Sequence, residues 1–137
     1  MEILAETGTD LSKWENDKKF ISWLNLCPNN KITGGKLISS TVLKKKAGIA
    51  TKAFRAAANS LHNSDNWLGD YFRKKRAKGG TKYAIIATAR KIAIIYYKMV
   101  RYKKGFKPID TDEYKAIYKA AKISRLEKQL ARLKGVA

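Results

Sequence analysis

Acids are missing from the middle of this chain. Between Lys18 and Lys107 stand 22 lysines and arginines and two acids, Asp65 and Asp70. The first 17 residues hold five acids and one lysine, and the last 30 hold seven bases and four acids. The formal net charge of +19 over 137 residues therefore belongs to the central segment. A block of one sign repels itself on folding unless a polyanion neutralises it, and nucleic acid is the commonest polyanion.

Other shortages exclude whole classes. One cysteine, Cys27, rules out a disulfide framework and a cysteine-based zinc site, and leaves Cys27 as a small apolar residue of the interior. One histidine, His62, has no second histidine to share a metal, and it is distant in sequence from the candidate hydroxyls Ser39, Ser40 and Thr41, which argues against a hydrolase triad there. The acidic start MEILAETGTD has neither the charge nor the apolar length of a targeting peptide. The greasiest run, Tyr83 to Val100, is interrupted by Arg90, Lys91 and Lys98 and is too charged and short to span a bilayer. The expectation is a cytoplasmic protein. Apolar residues make up 45% of the chain, enough for one modest core and too many for a disordered tail.

The pattern predicts an all-α fold: a compact helical domain over residues 1–107 with one Gly/Ser/Lys-rich loop, and a C-terminal helical extension over 108–137. Ser12 and Glu15 have capping-box spacing, and Asn16-Asp17 can cap a short helix through Phe20, Ile21, Trp23 and Leu24, all read as core-facing. Pro28-Asn29-Asn30 ends it. Lys31 to Lys46 is the least regular stretch, with Gly34-Gly35, Thr33, Ser39, Ser40, Thr41 and five lysines; its Leu37-Ile38 and Val42-Leu43 pairs either form a short hairpin or simply pin a loop. After Gly48, the residues Ile49, Ala53, Ala56, Ala57 and Leu61 form one helical stripe. Ser64 is placed to cap a helix from Asp65 to about Lys78, with Trp67, Leu68, Tyr71 and Phe72 as its apolar face and Gly79-Gly80 as its stop. Thr81 opens the longest helix, to about Tyr102, with Ile85, Ala89, Ile92, Tyr96, Met99 and Val100 inward and Arg90, Lys91, Lys98 and Arg101 behind. Asp110 caps a last helix, Thr111 to Lys134, whose apolar stripe changes phase near Ser124.

Two constellations carry candidate chemistry. Arg73-Lys74-Lys75-Arg76 with Lys78 and Lys82 is either a solvated helix end or a phosphate-binding cluster, and cations of the next helix can extend the same surface. Among the interleaved aromatics Tyr71, Phe72, Tyr83, Tyr96 and Tyr97, one or two left exposed would stack on bases. Thr33-Gly34-Gly35-Lys36 looks like a piece of a phosphate loop but lacks Walker A spacing, so it is either a turn or a phosphate contact. The carboxylates Asp10, Glu15 and Asp17, or Asp110, Asp112 and Glu113, read more simply as helix N-terminal charges than as a metal site. No metal ligand set is assigned.

Three segments, GTDLSKW, FISWLNLCPNNKITGGKLISST and AFRAAANSLHNSDNWLGDYFRKKRAKGGTKYAIIATARKIAIIYYKMV, resemble the C-terminal domain of the DEDD serine, bridge-RNA-guided family of insertion-sequence transposases, from Gly8 to about Phe106. The resemblance implies the C-terminal part of a transposase whose relatives carry a RuvC-like N-terminal domain with four acidic magnesium ligands, absent from this sequence. It implies a hydroxyl nucleophile in the glycine-lysine loop: Thr33, where relatives carry serine, or else Ser39 or Ser40. It implies that Lys31, Gly34, Gly35, Lys36, Lys44, Lys45, Lys46, Arg73, Lys74, Lys75, Arg76, Lys78 and Lys82 approach DNA or a structured guide RNA. Asn25 stands where relatives often have glycine. Without the acidic domain the chain is expected to be inactive alone and to bind no cofactor, Mg2+ belonging to the full-length family; a homo-oligomer or a full-length transposase is its expected partner. The alternatives are a non-enzymatic DNA/RNA-binding remnant that modulates full-length relatives and, more weakly, a protein lying on anionic membranes through the 81–102 helix.

Overall fold

The computed structural model of the chain describes residues 2–42 and 47–135. Along it run α1 (Glu2–Thr7), α2 (Asp17–Trp23), β1 (Pro28–Thr33), β2 (Lys36–Val42), α3 (Ile49–Ser60), a single 3-10 turn (Leu61–Asn63), α4 (Trp67–Tyr102) and α5 (Thr111–Leu133). The domain is mostly helical, with one small antiparallel hairpin. Among the described residues no helix is long and apolar enough to cross a membrane.

Helix α2 starts at Asn16, whose side-chain oxygen accepts from Lys19 N at 2.9 Å. The capping box expected at Ser12 does not form. Asp10 takes both the Ser12 hydroxyl and the Ser12 N–H, and the segment stays in turns. Helix α2 ends in a Schellman closure: Leu26 N bonds Ile21 O, Asn25 N bonds Ser22 O, and Asn25 takes the left-handed φ of 55°. A glycine also sits easily in that conformation, which is what the position asks for. Phe20, Ile21 and Leu24 go inward as expected, but Trp23 is 44% exposed, at the rim of the core with its ring 4.8 Å from that of Trp14 and 6.1 Å from that of Phe20.

The core gathers Leu11, Trp14, the α2 residues and Leu26 against Ala50, Phe54 and Ala58 of α3 and Ala89, Ala93 and Tyr97 of α4. The α3 stripe is therefore one step round from the expected one: Ala50, Thr51, Phe54 and Ala58 are buried, whereas Ile49 is exposed. Phe54 decides this, because one aromatic buries more surface than several alanines. On α4 the most buried seam is Ala84, Thr88, Ala89, Ala93 and Tyr97; the larger Ile85, Ile92, Tyr96 and Val100 flank it, and Met99 is exposed. Small residues in the seam let α3 and α4 approach closely. Because that seam is occupied by α2 and α3, the apolar side of the 81–102 segment is core and is not free to lie on lipid.

Polar ties close the ends. Tyr97 Oη donates to Trp14 O at 2.7 Å, and Thr51 Oγ1 donates to Leu24 O at 2.9 Å, satisfying the last turn of α2. Helix α3 begins at Gly48, which has no capping side chain; instead Glu6, from α1, accepts the N–H of Ala50. A Cβ on Gly48 would stand 2.4 Å from the Glu6 carboxylate. A carboxylate at a helix N-terminus is stabilising by about 0.5–2 kcal/mol when it takes an orphan N–H. Glu6→Ala is expected to lower stability by about 1 kcal/mol, read as an earlier urea midpoint with an unchanged slope.

Helix α4 is two helical limbs that meet at Gly80. Gly80 has φ 84° and ψ 176°, outside helical space. A straight helix of this length would separate its ends by roughly 50 Å. Yet Trp67, at its start, has its ring 6.5 Å from that of Phe106, just beyond its end. The chain therefore folds back at Gly80 into two antiparallel limbs, as the Gly79-Gly80 stop predicts. The first limb opens on Asn66, which accepts from Gly69 N at 2.8 Å, not on Ser64. Ser64 O lies 2.1 Å from where a Gly69 Cβ would stand, so the loop and the helix meet there without room for a side chain.

Candidate nucleic-acid interface

Residues 28–42 form a hairpin, but with other arms than the Leu37-Ile38 and Val42-Leu43 pairs: Leu37, Ile38 and Val42 share one strand, β2, and its partner is β1, which starts at Pro28. Gly34 and Gly35 have φ of 56° and 76°, which is the type I′ geometry that two-residue hairpin loops require. Thr33 pairs with Lys36, Lys31 with Ser39 and Asn30 with Ser40, and the register shifts between Lys31 and Ile32. Pro28, Ser40 and Val42 share one face of the ladder by its period of two. That face looks onto α4.

Between the hairpin base and the folded α4 lies a cleft of about 570 Å³. Its charged lining is Lys75 from the first limb and Lys82, Arg90 and Lys91 from the second, with Ser40 and Thr41 supplying hydroxyls and no carboxylate among its walls. Tyr71 and Tyr83 stand between these cations. Lys75 Nζ is 5.2 Å from the Tyr71 ring centre and 6.0 Å from that of Tyr83, and Lys91 Nζ is 5.9 Å from Tyr71. The Gly80 fold makes this possible, since residues 71 and 91 would stand about 30 Å apart on a straight helix.

The expected site residues divide into groups. Lys75, Lys82 and Ser40 meet in the cleft. Arg73 is held inside the chain: its guanidinium donates to Asp70 Oδ1 at 2.5 Å and to Ser64 O at 2.9 Å. Lys74 lies over the rings of Tyr114 and Tyr118, 4.6 and 3.6 Å from their centres, and pins the start of α5. Arg76 and Lys78 are exposed near the fold of α4, outside the cleft. Thr33, Gly34, Gly35, Lys31 and Lys36 are exposed on the far part of the hairpin. Ser39 is half-buried, and Ser40 Oγ donates to Asn30 Oδ1 at 2.6 Å. Lys44, Lys45 and Lys46 lie outside the described residues. Arg90 and Lys91 belong to the site although they stand on the cationic back of their helix; the signal for them is the Gly79-Gly80 break, which places residues equally far on either side of it opposite one another.

The acids are used locally. Glu15 pairs with Lys19, Asp17 stands in the first turn of α2, and Asp112 and Glu113 stand in the first turn of α5. The Asp10 carboxyl is held below its ordinary value by the Ser12 hydroxyl and N–H. His62 Nδ1 lies 2.8 Å from Asn59 O. Among the described residues no three His, Cys, Asp or Glu side chains converge, and the hairpin offers amides, hydroxyls and ammonium groups; this donor set does not fit Mg2+, which prefers carboxylate oxygen.

Comparison of the chain with protein-family models, with curated proteins and with solved structures yields no match.

At the far end of the fold, Trp67 meets Tyr114 at 5.8 Å. The Tyr114 phenol is pushed above its ordinary value of 10.0, first by burial against α4 and then by Tyr71, Asp70 and Tyr118. The phenol of an undocked α5 ionises at that ordinary value, so docking is undisturbed below pH 10.0 and weakens as pH rises above it. An alkaline melting series should show this loss in the parent, and Tyr114→Phe should remove that part of it. No residue of α5 is buried among the described residues.

Proposed function

We propose that this chain is the nucleic-acid-binding C-terminal part of a transposase of the DEDD serine, bridge-RNA-guided kind, acting in the cytoplasm on DNA and a structured RNA. The observation that carries the nucleic-acid reading is the cleft in which Lys75, Lys82, Arg90 and Lys91 converge with no carboxylate. Four cations in one concave wall attract a phosphate chain by counterion release, and the attraction is indifferent to sequence. The transposase reading adds the adjoining hairpin, whose Thr33-Gly34-Gly35-Lys36 tip presents an exposed hydroxyl beside an ammonium group.

In that reading the hydroxyl of Thr33, or of Ser39 or Ser40, loses its proton and attacks a DNA phosphodiester; one phosphorus–sugar oxygen bond breaks, the displaced strand end leaves as a free hydroxyl that takes up a proton, and the other strand end stays on the side-chain oxygen as a phosphate ester. The acids that complete the chemistry would come from a RuvC-like domain outside this sequence, because the donor set here does not fit the metal. Strand cleavage is tested by adding such a domain in trans. Cleavage that appears, and disappears in Thr33→Ala, Ser39→Ala or Ser40→Ala, supports the transposase. No cleavage with DNA binding intact favours the second reading, a non-enzymatic binder.

A further inference from the structure

The cleft carries more than a phosphate contact needs. A face that only neutralises phosphates can be shallow and polar. This one has an apolar lining, from Pro28 and Val42 on the hairpin side and Ile86, Ala87 and Ile94 on α4. Its volume of about 570 Å³ lies in the range of pockets that enclose a small organic ligand. A double helix cannot enter it, and a duplex keeps its base faces stacked on one another. An unpaired nucleotide brings both things the cleft offers partners for: a flat apolar face and a phosphate on either side.

We infer that the cleft admits an unpaired base of a single strand, set against the apolar lining beside the Tyr71 and Tyr83 rings, with its flanking phosphates on Lys75, Lys82, Arg90 and Lys91. This rests on the nucleic-acid reading above and narrows it to single-stranded or locally opened substrate. The arrangement of rings and cations fits. Lys75 stands within 6.0 Å of both ring centres, and Lys91 flanks Tyr71 from the other limb, so each ring has a cation at the distance of a neighbouring phosphate. Tyr83 is 42% exposed, and Thr41 adds a hydroxyl among the lining groups for a base edge or phosphate. Aromatic stacking tolerates every base, so the preference is for unpaired over paired strand and not for a sequence.

The test compares four probes by fluorescence anisotropy at one fixed salt: a single-stranded oligonucleotide, a fully abasic strand with the same number of phosphates, the corresponding duplex, and a free nucleoside monophosphate as competitor. The parent protein should bind the base-bearing strand about tenfold to a hundredfold more tightly than the abasic one. Tyr83→Leu, at an exposed position, should bring that ratio towards one, as should Ala87→Phe, which enlarges a lining residue; circular dichroism checks the fold of each. Equal affinity for the abasic and base-bearing strands overturns the inference while leaving the nucleic-acid reading standing. A duplex preferred over the single strand overturns it likewise. Competition by the free nucleotide as effective as by the strand overturns the strand as ligand. Failure to bind any probe overturns both readings together.

Discussion

Reversing Lys75, Lys82, Arg90 and Lys91 to glutamate reduces DNA affinity about a thousandfold or more at 0.1 M salt. The size follows from counterion release: each phosphate neutralised contributes close to one logarithmic unit of binding at that salt, and four contacts are lost together. A charge-matched control separates place from net charge. Reversing Lys115, Lys119, Lys122 and Lys128 on α5 changes the protein's total by the same amount, in an arm with no buried residue. Its affinity should fall far less. Equal losses would mean that the protein is a diffuse polycation with no site. Reversal of Arg73 is a different experiment, because its guanidinium ties Asp70 and Ser64 within the first limb of α4. Its main effect is expected on stability.

The second large effect is at the turn of α4. Gly80→Ala places a Cβ on a residue with φ 84° and ψ 176°, a region essentially confined to glycine. Such strain costs about 1–3 kcal/mol and lowers the melting temperature on the order of 10 °C. The alternative for the chain is to straighten, which carries Tyr71 and Lys75 away from Tyr83 and Lys91 and dismantles one wall of the cleft. Binding should therefore weaken along with stability. Gly105 provides the contrast: its φ is not positive and nothing lies within 4 Å of a Cβ added there. Gly105→Ala should leave both melting temperature and affinity close to the parent's.

The helices were legible in the sequence because their signals are local: Asn16 before a helix, the paired glycines at 79 and 80, the Trp67-Leu68-Tyr71-Phe72 face. The all-α reading needed no more than these. What escaped depended on partners distant in the chain. Phe54 rotates α3 relative to its alanine stripe because Tyr96 and the α2 residues wait to receive it. Glu6 replaces a missing cap from 44 residues away. Ser12 is drawn from its capping role by the nearer Asp10 carboxylate. The site shows the same division. The basic cluster at 73–76 is visible as a run of letters, but the fold sends its members to different work: Arg73 and Lys74 inward to Asp70 and the α5 tyrosines, Lys75 into the cleft. Arg90 and Lys91 join Lys75 only because Gly80 reverses the chain. A charge run records composition, whereas a binding site is made of the residues a backbone turn brings face to face.

The exposed apolar side of α5 has a different standing. Ile123, Leu126, Leu130 and Leu133 are each about half exposed or more, and nothing in the described chain covers them. The helix is held at its start by Trp67 and by Lys74 over Tyr114 and Tyr118. Amide hydrogen exchange should therefore be slower around Tyr114 than over the last turns of α5.

Lysine reactivity in the complex reads the interface directly. Acylation of surface amines, followed by mass spectrometry with and without a saturating single-stranded oligonucleotide, reports each lysine separately. The account predicts strong protection of Lys75, Lys82 and Lys91, while Lys115, Lys119, Lys122 and Lys128 keep the reactivity they have in the free protein. Protection spread evenly over all of these lysines, or confined to α5, would contradict it.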